Sequence, residues 1–398
     1  MPPSRVNGIF IASAARTPIG KFGGTLSRTS ATTLGAIAIS AAVEKSGLDA
    51  TDIGYVFMGN MLAAGLGQTP ARQAAIKAGI PQTTSATTIN KACASGLQSA
   101  VLGAQMIQLG ETQAVIAGGM ENMSSAPHLL MNSRTGQRLG DTKLIDHMIH
   151  DGLWCPFENR HMGGSAEAIA DAYDVKRTEM DEYALRSNQL ASSSVEEGWF
   201  DTEIVSVEVG NRHGDQTTLS RDEGPRADTS LQGLRNLSPA FPPGDRVTAG
   251  NAAQISDGAA ALVLVSEKMA IQRDIAPLGR VVGYAHSAND PSMLFDAPRV
   301  AVKQLLERTD EKLGDFDLIE VNEAFAAQVL ANEKALNWDR SIVNSHGGAI
   351  ALGHPIGASG ARILTSLLYA LKQSGGRRGL AAICHAGGGA VAMSVESV

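Results

Sequence analysis

Short apolar runs separated by stretches with helical spacing organise the first third of the chain. Residues 9–14 read as a strand, 32–46 as a helix stopped by Gly47, and 55–58 as a second strand. A helix over 70–78 has proline at its start. A strand over 83–89, a helix over 95–109 and an apolar strand over 114–117 follow, the last running into Gly118 and Gly119. Apolar strands alternating with helices predict an α/β fold on a mostly parallel sheet covered on both faces.

The rhythm breaks from about 124 to 246. Helical pieces at 165–172 and 178–194 lie there between irregular stretches rich in Arg, His, Asp, Pro and Met. A long insertion of this kind is more often functional than idle. Strand patterns return at 259–265 and 280–284, then a helix at 298–308, a strand at 318–321, helices at 323–336 and 359–372, and a strand at 380–384. The two ends read as weak copies: the run Tyr55 to Asn60 matches Leu318 to Asn322, and Ala114 to Gly119 matches the run from Ala381 into the final glycines. A tandem duplication of one α/β unit is the economical explanation.

Composition narrows the function classes. With 398 residues, 43% hydrophobic and 18% charged, the chain can bury large cores. A net charge of −7 provides no global basic field for nucleic acid. Three cysteines, Cys93, Cys155 and Cys384, make no disulfide framework and suggest a reducing compartment. No Cys/His metal spacing occurs, no apolar run reaches membrane-spanning length, and the opening Met1-Pro2-Pro3-Ser4-Arg5 lacks a signal pattern. The expectation is a cytoplasmic protein without metal.

Four places carry candidate chemistry. Cys93 stands where a strand gives way to a helix, so the positive end of the helix dipole and free N–H groups are expected to favour its thiolate. A thiolate so placed can accept an acyl group and pass it on. Asn322 follows a strand, His354 lies in a glycine-rich loop from Gly347 to Gly360, and Cys384 ends an apolar strand ahead of Gly387-Gly388-Gly389. Ligands bind beyond the carboxyl ends of strands in open α/β sheets, which would let these segments converge. Each has an alternative: Asn322 as a helix cap, His354 as a turn residue, either cysteine as a buried filler.

Taken together, these segments resemble the thiolases, most closely the short-chain biosynthetic branch. The similarity spans nearly the whole chain and keeps the family's order: Arg16-Thr17-Pro18-Ile19-Gly20, the Cys93 segment, Val247-Thr248-Ala249-Gly250-Asn251, Asn322-Glu323-Ala324-Phe325-Ala326, the Gly347 to Gly360 loop and the Cys384 loop. The resemblance implies duplicated βαβαβαββ domains in a five-layered αβαβα arrangement with an inserted loop domain. The expected boundaries are 1–123 completed by 247–275, a loop domain over coenzyme A at 124–246, and 276–398.

It also implies roles. Cys93 is the nucleophile; His354 activates it and donates to a thioester oxyanion; Asn322 holds the water that is the second donor there; Cys384 is the acid/base. The N–H groups of Cys93 and Ala386 form the other oxyanion hole. His161, Met162, Arg226, Ala249 and Ala253 are expected to contact substrate, the His161-Met162 pair favouring short acyl groups. The reaction implied is reversible condensation of two acetyl-CoA to acetoacetyl-CoA and CoA through an acetyl-cysteine, with coenzyme A as substrate and product and no covalently bound cofactor. A homodimer or homotetramer without nucleic-acid or membrane partners is expected. Competing readings are a degradative 3-ketoacyl-CoA thiolase of broader chain length and a non-catalytic acyl-CoA-binding relative.

Three departures stand out. Alanine occupies position 386 where the family usually has glycine, which would be strained if φ is positive there. Ala253 replaces a serine common near the pantetheine, and the run from Met293 to Pro298 lacks the usual small residues.

Overall fold

The computed structural model describes residues 6, 8–210 and 216–398; the opening residues 1–5 lie outside the described residues. Ten strands form one sheet: β1 (Ile9–Arg16), β2 (Gly20–Lys21), β3 (Tyr55–Gly59), β4 (Ser85–Ile89), β5 (Ala114–Asn122), β6 (Ser256–Ser266), β7 (Gly279–Ala288), β8 (Leu318–Val321), β9 (Arg378–His385) and β10 (Gly389–Glu396). Their order is β8-β9-β10-β7-β1-β6-β5-β3-β4, with β2 paired to β6.

The sheet is mixed rather than mostly parallel, which corrects the sequence expectation. β3 runs parallel to β4 and β5, and β8 runs parallel to β9. The successive pairs from β9 through β10, β7, β1 and β6 to β5 are all antiparallel. The reason lies in β6 and β10, which return antiparallel beside β5 and β9. Both are buried on both faces, so their unbroken apolar runs carry no alternation to betray strand direction.

The main helices are α1 (Ala31–Ser46), α2 (Pro70–Lys77), α3 (Ser95–Gln108), α4 (Met162–Ala172), α5 (Arg177–Glu196), α6 (Ala297–Thr309), α7 (Ala326–Leu336) and α8 (Ser359–Ser374). Alternate residues along the strands assign the layers, because successive side chains point to opposite faces. Ala114 and Ile116 of β5 pack with α1 and α2, whereas Val115 and Ala117 pack with α3 and α8. In β9, Ala381 and Ile383 join the same α3/α8 layer, while Leu380 and Ala382 face α6 and α7. The result is five layers, αβαβα, with α3 and α8 in the middle.

Each half follows a βαβαβαββ course. The first is β1-α1-β3-α2-β4-α3-β5-β6; the second is β7-α6-β8-α7, an isolated bridge at Val343 in place of a full strand, then α8-β9-β10. Register ties the copies residue to residue: Gly59 of β3 faces Gly119 of β5, and Val321 of β8 faces Ala382 of β9. The duplication legible in the sequence is therefore present in the fold. Between β5 and β6 the insertion contributes α4, α5 and small hairpins.

Two helix starts differ from the pattern. α4 begins at Met162 because the His161 ring accepts from the N–H of Gly163 at 3.1 Å and caps it. α7 begins at Ala326 instead of Glu323. The intervening residues are held by the buried Glu323 carboxylate, which accepts from Tyr183, Ser187, Asn344 and the N–H of Ile350 at 2.8 to 3.1 Å. Asn322 therefore does not cap that helix.

Candidate active site

The turn between β4 and α3 is built to present Cys93. Asn90 Oδ1 accepts from Ala92 N–H at 3.1 Å, and Ser95 Oγ accepts from Lys91 N–H at 2.7 Å while donating to the Ala92 carbonyl at 2.6 Å. Ala92 is forced to φ +46, a conformation that costs a non-glycine residue on the order of 1 kcal/mol or more. Among the described residues no side chain caps α3; the turn closes on its own backbone instead, Ala94 N–H donating to the Lys91 carbonyl and Ser95 N–H to the Ala92 carbonyl, both at 3.1 Å.

Burial dominates the state of that thiol and pushes it up to about 12. Its own N–H and that of Ala386 favour the thiolate, and the nearby Glu121 carboxyl opposes it. The expected resting thiolate is thus corrected: loss of hydration outweighs the helix end, and Cys93 rests as a neutral thiol. Below its pKa the thiolate fraction rises about tenfold per pH unit. Alkylation of Cys93 by iodoacetamide is therefore expected to accelerate continuously from pH 6 to 9; a plateau near pH 7 in the rate profile would contradict this.

The His354 imidazole sits in the glycine-rich loop. His354 N–H donates to the Gln254 carbonyl at 2.9 Å, and its Nδ1 lies 2.6 Å from Ser359 Oγ. Ser359 spends its own proton on the Pro355 carbonyl at 2.9 Å, so this pattern assigns the imidazole proton to Nδ1. Nε2 is left bare and buried, with no partner among the described residues. Burial first, then the charge of Arg362, lowers the imidazole to about 3, so it is neutral and basic at Nε2 across the physiological range.

Asn322 is fully buried, and its N–H donates to the Ala382 carbonyl at 3.0 Å, extending the β8–β9 ladder. Neither Oδ1 nor Nδ2 has a partner among the described residues. A buried amide left this way costs about 1–3 kcal/mol, which suits a group reserved for water or substrate.

Cys384 ends β9 and is 2 % exposed. Burial raises its thiol well above the ordinary range, and the neighbouring Cys93 raises it further. The two sulfurs thus share one site, and Ala386, two residues past Cys384, turns its N–H toward Cys93. Position 386 is not strained. The left-handed residues of this turn are Gly387 (φ +90) and Gly388 (φ +93), and alanine keeps the N–H where it is needed.

Backbone contact closes the site. A Cβ on Gly96 of α3 would lie 2.6 Å from Ala361 N, and one on Gly59 would lie 2.6 Å from the Gly357 carbonyl. The first turns of α3 and α8 consequently touch, and Cys93 packs with the cluster that contains Ile356, Leu62 and Met148. Ile149, Leu153 and Ile255 pack on that cluster and also line a cavity of about 660 Å³. Phe241 and Phe325 continue its wall, together with His161, Arg226, Ala249 and Ala253. A second cavity of about 300 Å³, with Thr229 and Ser230, shares Arg226, Ala249 and Gln254. Of the expected binding residues only Met162 is elsewhere, buried in the core against α7. The 293–298 run is also set back, although Phe295 packs edge-on against Phe325 at 5.4 Å.

Comparison with known sequences and structures identifies the family. Family models described as thiolase, N-terminal domain and thiolase, C-terminal domain match residues 9–268 and 275–397. The chain belongs to the thiolase family. An acetyl-CoA acetyltransferase of Cupriavidus necator is 47% identical over 388 residues, covering 98% of this thiolase and 99% of the relative. One from Escherichia coli (strain K12) is 48% identical over 387 residues, covering 97% and 98%. The crystal structure of the Bacillus anthracis acetyl-CoA acetyltransferase superposes with a TM-score of 0.97 at 41% identity, covering 99% of this chain and all of that one.

Around these residues lie others that sequence reasoning passed over, Ser359 and Glu121, and one, Glu323, that it noticed without giving it a role. Ser359 stands five positions after His354 at a helix start, which is a readable signal. Glu121 has none, since an acid after an apolar strand looks like an ordinary strand end. Among the described residues no group of three or more His, Cys, Asp or Glu could hold a metal ion, and no helix is long and apolar enough to cross a membrane.

Proposed function

We propose that this thiolase is an acetyl-CoA C-acetyltransferase, an acyltransferase that reversibly joins two acetyl-CoA into acetoacetyl-CoA and CoA. The observation that carries the reading is the meeting of two thiols, one from each half, with the Ala386 N–H turned to Cys93. In the first half-reaction His354 Nε2 takes the Cys93 proton, the sulfur attacks the thioester carbonyl, and CoA leaves with a proton from Cys384. The acetyl oxygen lies between the N–H groups of Cys93 and Ala386.

In the second half-reaction the Cys384 thiolate removes a proton from the α-carbon of another acetyl-CoA. His354 and a water on Asn322 receive the developing enolate oxygen. The carbon attacks acetyl-Cys93, and the released sulfur recovers its proton from His354. One cysteine could not hold the acyl group and serve as base together. Arg226, in the exposed mouth where the two cavities meet, suits the phosphates or adenine of coenzyme A, and the apolar channel suits the pantetheine arm. The segment between β5 and β6 is read as the loop domain over coenzyme A, set between halves bounded near 123, 247–275 and 276.

No covalently bound cofactor enters these steps. The open outer edge of β4 supports assembly as a homodimer or homotetramer, and the reading places the enzyme in the cytoplasm. Steady-state thiolysis against acyl-chain length is the test: acetoacetyl-CoA should turn over fastest, with rates falling at medium chain. Faster medium-chain cleavage would instead favour a degradative 3-ketoacyl-CoA thiolase. No turnover despite tight acyl-CoA binding would favour a non-catalytic relative.

A further inference from the structure

Glu121, at the carboxyl end of β5, is wholly buried, and each of its oxygens accepts two hydrogen bonds. Oε1 accepts from Asn60 Nδ2 at 2.8 Å and Leu62 N–H at 3.1 Å. Oε2 accepts from Met61 N–H at 3.0 Å and Gly357 N–H at 2.9 Å. The first three donors belong to the loop after β3 in the first half; the fourth lies three residues past His354 in the second. Gly357 has no room to move inward, since a Cβ there would stand 2.8 Å from Asn60 Cα and 2.9 Å from Glu121 Oε2.

Register adds a second observation. Counting two residues on from the Gly59–Gly119 and Val321–Ala382 pairs, Glu121 occupies in the first half the position that Cys384 occupies in the second. Counting one residue on, Asn60 likewise matches Asn322. The duplicated fold thus offers the same strand-end position twice and fills it once with a thiol and once with a carboxylate.

We propose that Glu121 is a positioning residue: its carboxylate pins Gly357, and through it the His354 loop, to the 60–62 loop beside Cys93. The proposal rests on the reading that Cys93 carries the acyl group and His354 acts on it. A carboxylate is required because four N–H donors converge on two oxygens. An amide of the same shape would set its NH₂ against a pair of donors, and aspartate would be one methylene short. The titratable groups facing Glu121 are Cys93 ahead of α3 and Asp257 of β6, whose own carboxylate is held by Ser124. Cys93 in turn faces Cys384 of β9.

The geometry and the charge can be read separately. Glu121→Gln is expected to lower kcat for acetyl transfer by about 10-fold or more while KM for acetyl-CoA changes by less than about twofold, as for a reacting group displaced by a fraction of an ångström. Burial raises the Glu121 carboxyl to about 7, so above that pH Glu121→Gln removes a negative neighbour, and there the pH profile of Cys93 alkylation by iodoacetamide should shift to lower pH. Glu121→Asp keeps the charge and shortens the arm, so its alkylation profile should match the wild type while kcat still falls. A loss of active sites with both profiles unmoved would mean a merely structural role and would overturn the proposal. So would wild-type kcat in either variant; if Glu121→Gln is not recovered folded, Glu121→Asp alone decides by its kinetics, a fall in kcat with KM for acetyl-CoA held supporting the proposal and an equal change in both overturning it. Failure of the wild type to turn over acetyl-CoA would instead sink the functional reading, since the alkylation readout needs no substrate.

Discussion

Replacing Cys93 with alanine is expected to reduce turnover at least about 10⁴-fold and to abolish covalent labelling by radioactive acetyl-CoA, because the proposed reaction carries the acetyl group on this sulfur. Cys384 cannot substitute. It lies at the end of β9, almost fully buried, and its thiol is held protonated by burial and by the neighbouring sulfur. Circular dichroism and melting should remain close to wild type, since the substitution removes a single sulfur atom and the turn is held by Asn90 and Ser95. Stoichiometric acetylation retained in Cys93→Ala would refute its assignment as nucleophile.

Cys384→Ser should separate the two half-reactions. A serine hydroxyl is a far weaker acid than a thiol and does not ionise usefully at this site. Proton transfer at the α-carbon should slow by about 10²–10⁴-fold. Acetylation of Cys93 needs only a proton for departing CoA, which solvent or His354 can supply, so single-turnover labelling should persist at a much smaller cost. The measurement is the ratio of burst labelling to steady-state acetoacetyl-CoA formation. Equal loss in both would remove the division of labour between the sulfurs.

Most of the element plan could be read from the sequence, because apolar runs of four to ten residues bounded by glycine, proline or polar clusters have few other meanings. Strand direction could not. In β6 and β10 both faces are covered, and a pattern without alternation is silent about its neighbours. The start of α7 was misplaced for a related reason: Asn322-Glu323 looks like a cap, yet Glu323 is committed to Tyr183, Ser187 and Asn344, residues remote in sequence.

Within the site, the reactive side chains were legible because Cys, His and Asn beside glycine turns are uncommon filler. Their protonation states were not. The helix end beside Cys93 is a local feature, whereas the burial that outweighs it comes from loops some 30 to 290 residues away along the chain. Tautomer choice at His354 likewise depends on how Ser359 disposes of a single hydrogen. Properties set by a side chain's own segment can be read in one dimension; those set by solvent exclusion cannot.

The middle layer has a consequence for the chain's integrity. Helices α3 and α8 come from opposite halves, and each is the other's shelter from water. A fragment ending near residue 275 would therefore bare an oily flank along α3, and the remaining piece would bare one along α8. Neither could persist as a dispersed monomer. An ancestral single-copy unit of this shape would have needed a twin before it could dissolve, which makes gene fusion a way of keeping the twins together.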